Sequence, residues 1–246
     1  MLGTPKLVAS PLPKLWAIPE SIRSRLGREA GPQRAIFEEE QLLLVLHQPP
    51  LPDQHERIPA FFWRNAEGEW KGTESGGLSA LQNLLETYEK KILDLEAREA
   101  KATKAQHYHD LLEELAPLLR ASRGLHRAIQ QGRELVKVDR ELISLRDQAA
   151  AIERSADLLL QDAQFGLNFT VARQSEAQAE AAHQMSRTGH RLNIIAALFL
   201  PLTAIASIFG MEIHSGIKDT PANFVLILLA GVALGVVTTL LVTPKK

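Results

Sequence analysis

The chain has 246 residues, a formal net charge of −1 and no cysteine. That length allows one large domain or two small ones. The charge balance offers no basic face for nucleic acid, and the lack of Cys excludes a disulfide framework, a thiolate metal site and a cysteine nucleophile.

In chain order, residues 1–33 read as a loose segment. Pro5, Pro11, Pro13 and Pro19 interrupt it, and it lacks the apolar stretch of ~7–15 residues that a secretory signal needs. Residues 34–46, RAIFEEEQLLLVL, read as a strand-like run, and 58–71, IPAFFWRNAEGEWK, as a hairpin around Ala66–Gly68. Trp63 and Trp70 flank that turn and are expected in the core of a small sheet. Gly72, Gly76 and Gly77 mark a boundary. The expectation is a small α/β cytoplasmic region over 34–78.

From Ser79 the pattern turns helical. Leu81, Leu84, Leu85, Tyr88, Ile92 and Leu95 recur at steps of three and four and make one apolar stripe. Leu111, Leu112, Leu115, Leu118 and Leu119 continue it, with Pro117 and Gly124 as local disturbances. Residues 79–132 read as a helical hairpin, with Gly132 as a candidate turn. A stalk helix over 133–191 then runs straight into the next segment. Roughly seventy-five helical residues make a rod on the order of 110 Å. A rod of that kind must pack on other helices.

Residues 192–242 hold three charges, Glu212, Lys218 and Asp219, with His214 as a titratable addition. Leu192–Phe209 and Phe224–Val242 are uncharged runs of eighteen and nineteen residues. A helix needs ~20 apolar residues to cross a hydrocarbon core of ~30 Å, so the two runs predict transmembrane helices at 192–209 and 224–242. Pro201 interrupts the first, and Gly231 and Gly235 give the second a spacing that lets helices approach closely. Arg187, His190 and Arg191 precede the first run, Lys245 and Lys246 follow the second, and residues 210–223 between them carry one Lys. Lys and Arg concentrate on the cytoplasmic side. Both termini, including the basic tail 243–246, are therefore expected in the cytoplasm, with 210–223 as an external loop.

The stretch LFLPLTAIASIFGM, residues 198–211, closely resembles the first transmembrane helix of CorA magnesium transporters, which carries a Pro-Leu-Thr centre and ends in Gly-Met-Asn. The spacing from Pro201 to Gly210-Met211 is the same. The likeness is specific over about 190–212 and extends by order of parts over about 34–246. Two departures stand out. The cytoplasmic region is shorter than in typical members, and the motif reads Gly210-Met211-Glu212, with a carboxylate in place of the amide.

The resemblance implies an α-helical, multi-pass protein of the cell (inner) membrane, a homopentamer with lipid as its other partner. Its first spans would line a central pore for divalent cations. Mg²⁺ is the first expectation, with Co²⁺, Ni²⁺ or Zn²⁺ as further possibilities. Helical spacing then puts Ser207, Thr203, Leu200, Ala196 and Leu192 on one face. Thr203 and Ser207 offer hydroxyls to a hydrated ion, while Leu200 and Leu192 form apolar constrictions. A bond from either hydroxyl back to its own helix is the plainer alternative. Gly210, Met211 and Glu212 complete the mouth, and Glu212 is the one expected metal contact. Mg²⁺ dehydrates reluctantly, which suits a mouth that touches its outer waters. Five carboxylates there would attract dications strongly and repel one another.

No GxxxxGK[ST] run occurs, so transport is expected to be passive. A potential of 100 mV supplies roughly 4.6 kcal/mol for a dication. No nucleophile, triad or metal constellation suggests an enzyme. The competing reading is a membrane-anchored coiled-coil scaffold that has lost conduction. His107 and His109 fall on different helix faces and are read as solvated. His214 beside Glu212 is read as a loop histidine, although imidazole with carboxylate would favour Zn²⁺, Co²⁺ or Ni²⁺. Asp147, Glu153, Asp157, Asp162, Glu176 and Glu180 alternate with Arg140, Arg146, Arg154 and Arg173. That pattern reads as a salt-laced helix surface.

Overall fold

The computed structural model describes residues 12–13, 16–27, 29, 31–51, 57–73, 76–210 and 220–242. It comprises two compact units, Met1–Ala172 and Arg173–Lys246. The first unit holds helix α1 (Glu20–Arg23), strands β1 (Arg34–Glu38), β2 (Gln41–His47), β3 (Pro59–Arg64) and β4 (Trp70–Gly72), and helices α2 (Leu78–Glu99) and α3 (Ala105–Leu135). Helix α4 (Glu141–Gly210) begins in it.

The strands form an antiparallel meander in the order β1-β2-β3-β4. The run 34–46, expected as one strand, is two. Glu39 and Glu40 both take positive φ, 52° and 60°, and close a two-residue turn that pairs Glu38 with Gln41. Turns of that hand suit the strand twist. The second hairpin falls where expected. Asn65 Oδ1 accepts the Glu69 N–H at 2.7 Å, and Gly68 supplies φ 91°. Among the described residues, 34–77 holds strands and no helix, so the expected α/β region is a small sheet.

Side chains alternate across a strand. Leu42, Leu44, Leu46, Ala60 and Phe62 therefore face one way, into the core shared with the helices. Ile36, Leu43, Val45, Phe61 and Trp63 face the other way. Leu12, Trp16, Ile18 and Ile22 cover that second face, so this stretch of the supposedly loose segment is packed. Trp16 and Trp63 stack with ring centroids 6.1 Å apart. Trp70 packs on the helical core instead, so the two hairpin tryptophans serve opposite faces. Burial on both faces explains why β2 reads as the unbroken apolar run LLLVL.

β1 pairs with β2 only as far as Arg34 opposite Val45, and Pro59, opposite His47, has no N–H. Side chains serve the His47 backbone instead. Gln33 Oε1 accepts its N–H at 3.3 Å, and the buried Tyr88 hydroxyl donates to its carbonyl at 3.0 Å.

The apolar stripe predicted for α2 is buried in full. Gly132 lies inside α3 and makes no turn. A Cβ there would meet Leu44 Cδ2 at 3.0 Å and Leu42 Cδ2 at 3.2 Å, so glycine lets α3 lie close on β2. The helix instead ends at Leu135, and α4 starts at Glu141, not near residue 133. In α4, Leu142, Leu145, Ala149, Ile152, Ala156, Leu159 and Ala163 are buried at alternating steps of three and four. That is a heptad seam. Gly166 continues it against the Tyr108 ring.

Asp139, between α3 and α4, joins three elements. Its Oδ2 accepts Arg64 Nε at 2.8 Å and Trp70 Nε1 at 3.4 Å, and its Oδ1 accepts the Glu141 N–H at 3.0 Å.

Glu114 on α3 is held by Lys91 at 2.8 Å and Arg98 at 2.7 Å, both from α2. Burial pushes its carboxyl up, but the hydrogen bonds and charges of Lys91 and Arg98 outweigh that and leave the pKa below the ordinary value. The stabilisation is complete above the unfolded value of about 4.3 and is lost as pH falls through the lower folded value. Glu114→Gln is therefore expected to melt lower than the native protein at neutral pH. The gap should shrink below about pH 4 in thermal melts of the detergent-solubilised protein. A gap independent of pH would contradict this.

Candidate functional site

The second unit holds the remainder of α4 and helix α5 (Pro221–Val242). α4 is long and apolar enough to cross a bilayer, and the apolar stretch Pro221–Val237 of α5 is shorter. The two helices meet at glycine. Gly231 and Gly235 are buried, and a Cβ on Gly235 would stand 2.9 Å from Leu198 O and 3.2 Å from Leu198 Cα. Only a missing side chain permits a backbone approach this close.

That contact gives α4 a back and a front. Ala197, Pro201 and Ile205 are half-buried, in line with Leu198. At about 100° per residue, Leu198 lies roughly 160° around the helix from the mean direction of Leu192, Ala196, Leu200, Thr203 and Ser207. Those five residues are exposed in the single chain, Leu192 at 61% and Leu200 at 67%, whereas Leu198 and Ile194 fall to 36%. The stripe selected by spacing is thus the side of α4 that α5 leaves open. The seating face of Ile194, Leu198, Pro201 and Ile205 was not singled out in the sequence, although the glycine spacing in α5 signalled that such a face exists.

Thr203 Oγ1 donates to Phe199 O at 2.8 Å. The expected alternative, a hydroxyl bonded back to its own helix, is therefore present. It uses the proton and leaves the oxygen lone pairs free to accept, which is the orientation a cation or its water requires. Gly210 is the last residue of α4. Met211, Glu212, His214 and most of the expected external loop lie outside the described residues, as does the tail 243–246.

The other residues singled out in the sequence lie apart from this stripe. His107 Nδ1 accepts the Thr103 N–H at 3.4 Å, and His109 lies 3.4 Å from Glu113. Glu153 and Asp157 pair with Arg123 of α3, at 3.6 and 2.8 Å, and Glu153 also meets His126 at 2.7 Å. Their partners come from the neighbouring helix and not from the arginines of α4. Among the described residues, no group of three or more His, Cys, Asp or Glu could hold a metal ion.

A helix long and apolar enough to cross a membrane, with a second apolar helix seated on its back, is compatible with a helical membrane protein. The chain is a member of the CorA-like Mg²⁺ transporter protein family, whose sequence model matches residues 76–246. No curated protein matches it in sequence. Among solved structures, it is similar to the complete structure of the CorA magnesium transporter from Methanocaldococcus jannaschii. The identity is 12% over 87% of this chain and 79% of that one, with a TM-score of 0.36. It is also similar to the full-length CmaX protein, at 16% identity over 87% of this chain and 77% of that one, with a TM-score of 0.45.

Proposed function

We propose that this chain conducts divalent cations passively across the cell membrane, Mg²⁺ first among them, through the centre of a homopentamer. Family membership carries the class of activity. The observation that favours a pore over a plain anchor is the open stripe. Leu192, Ala196, Leu200, Thr203 and Ser207 are exposed on the side of α4 turned away from Leu198 and Gly235. In an oligomer that side can line a common axis, with α5 behind it.

In this reading the spans are 192–209 and 224–242, the loop 210–223 is external, and both termini are cytoplasmic. The stalk 133–191 and the helical hairpin 79–132 lie on the cytoplasmic side. Gly210, Met211 and Glu212 form the mouth. Glu212 concentrates dications by its charge, without stripping the waters that Mg²⁺ gives up reluctantly. Leu200 and Leu192 provide constrictions that gate by dewetting.

The test is ion flux into proteoliposomes loaded with a magnesium-sensitive dye, comparing native protein with Glu212→Ala. Native protein is expected to pass Mg²⁺ and the variant markedly less. If a correctly assembled oligomer passes none of Mg²⁺, Co²⁺, Ni²⁺ or Zn²⁺, the chain is a membrane-anchored scaffold instead.

A further inference from the structure

The first unit contains a cavity of 430 Å³ between the end of β2, the start of β3 and one face of α3. Its described lining includes Arg57, Arg120 and Arg127, with the buried His47, and no acidic residue. Its volume lies in the range of small-molecule sites.

The arrangement follows from the helix. Arg120 and Arg127 are seven residues apart, close to two full turns, so they project from the same face of α3. Gly124 lies between them and also lines the cavity, with the Gln33 side chain set over it and the Gln33 amide donating to Ala121 O at 2.7 Å. Arg57 comes from the opposite wall, just before β3.

Arg123, on the same helix, is paired with Glu153 and Asp157. Among the described residues, Arg57, Arg120 and Arg127 have no carboxylate within 4.0 Å; Arg120 uses only its Nε, donating to Ala116 O at 3.3 Å.

His47 registers the resulting field. Burial lowers its pKa, its hydrogen bond to Gly31 O opposes that, and the charges of Arg57 and Arg34 lower it further. The imidazole is therefore neutral at pH 7, with Nε2–H donated to Gly31 O at 2.9 Å. It adds a polar wall and no charge. Pro117 stiffens the rim from α3.

Three arginines lining one cavity, with no carboxylate in its described lining, match a polyanion with planar or tetrahedral oxygens, to which Arg binds in bidentate fashion. We propose that this cavity binds a phosphate-bearing small molecule, with Arg120 and Arg127 holding the phosphates from α3 and Arg57 from the opposite wall. The cavity exceeds the needs of a single phosphate, so the occupant is an oligophosphate, either free or carried by a nucleotide. The proposal does not depend on ion conduction, because binding is read in the resting protein.

The test uses the full chain in detergent with EDTA present, titrated calorimetrically with sodium tripolyphosphate and with ATP. Saturable binding of both probes is expected. Tighter binding of ATP would identify a nucleotide site, and equal binding a site for the phosphate chain alone. Arg120→Glu with Arg127→Glu is expected to weaken both probes by at least about tenfold, while the melting temperature without ligand stays native because both side chains are exposed. Arg154→Glu, an exposed position on α4 outside the cavity, is the control for diffuse charge. Absence of saturable binding, or an equal loss in the Arg154 variant, would overturn the proposal.

Discussion

Replacing Thr203 by Leu is expected to reduce dication flux at least about tenfold, a barrier increase of about 1.4 kcal/mol, while assembly stays intact. The side chain is exposed and turned away from Leu198, where α5 is seated, so a larger residue displaces nothing in that contact. The native hydroxyl gives its proton to Phe199 O and keeps its lone pairs for an incoming cation or water. Leucine removes that acceptor. It also places an apolar ring one helical turn from Leu200, which lengthens the stretch that must dewet before the path closes. Thr203→Ser retains the hydroxyl and is expected to conduct within about twofold of native, since only a methyl is lost. Equal flux from the native and Leu proteins in the dye assay would remove Thr203 from the pathway and, with it, the assignment of this face to the axis.

The second large effect concerns stability. Asp139→Ala is expected to cost the first unit about 3 kcal/mol, a fall in melting temperature of roughly 6–12 °C. The Arg64–Asp139 pair is 2.8 Å apart with side chains only 16% and 11% exposed. Alanine would leave the guanidinium in a poorly solvated place without its counter-charge, which costs more than the pair itself contributes. The same carboxylate accepts from Trp70 Nε1 and from the Glu141 N–H in the first turn of α4, so one truncation releases β3, β4 and the start of α4. Asp139→Asn keeps the acceptor for Glu141 and should fall between the two. A loss below about 0.5 kcal/mol, the scale of an ordinary surface change, would mean that water replaces the carboxylate freely.

The sequence showed some of this architecture plainly and hid the rest, for identifiable reasons. Helix α2 was legible because Leu81, Leu84, Leu85, Tyr88, Ile92 and Leu95 all face one core. The apolar segments were legible because charge is absent from them. The turn at Glu39–Glu40 was not, because turn chemistry at positive φ is sought at glycine and asparagine, and two glutamates give no such signal. Gly132 was misread for a related reason. A glycine that ends a helix and one that admits a neighbouring strand look alike until Leu42 and Leu44, distant in sequence, are seen against it. The stripe from Leu192 to Ser207 could be traced from spacing alone, but which side of α4 carries a partner depended on where Gly235 lands. The arginine cavity was invisible, since Arg57 lies far along the chain from Arg120 and Arg127. Glu212, proposed for the mouth of the pore, lies outside the described residues, so that proposal rests on the motif.

Among the described residues, the side chains that bury the sheet belong to the first unit, and that unit ends at Ala172, before the uncharged stretch that opens at Leu192. During synthesis, domains fold in the order in which they emerge. The meander, its tryptophan pair and the heptad seam can therefore close in water while the apolar segments are still being translated. On the proposed membrane reading, insertion into lipid then begins from a chain whose first unit has already folded, so a mutation that destabilises that unit, such as Asp139→Ala, would leave more chains unfolded before their most apolar residues have appeared.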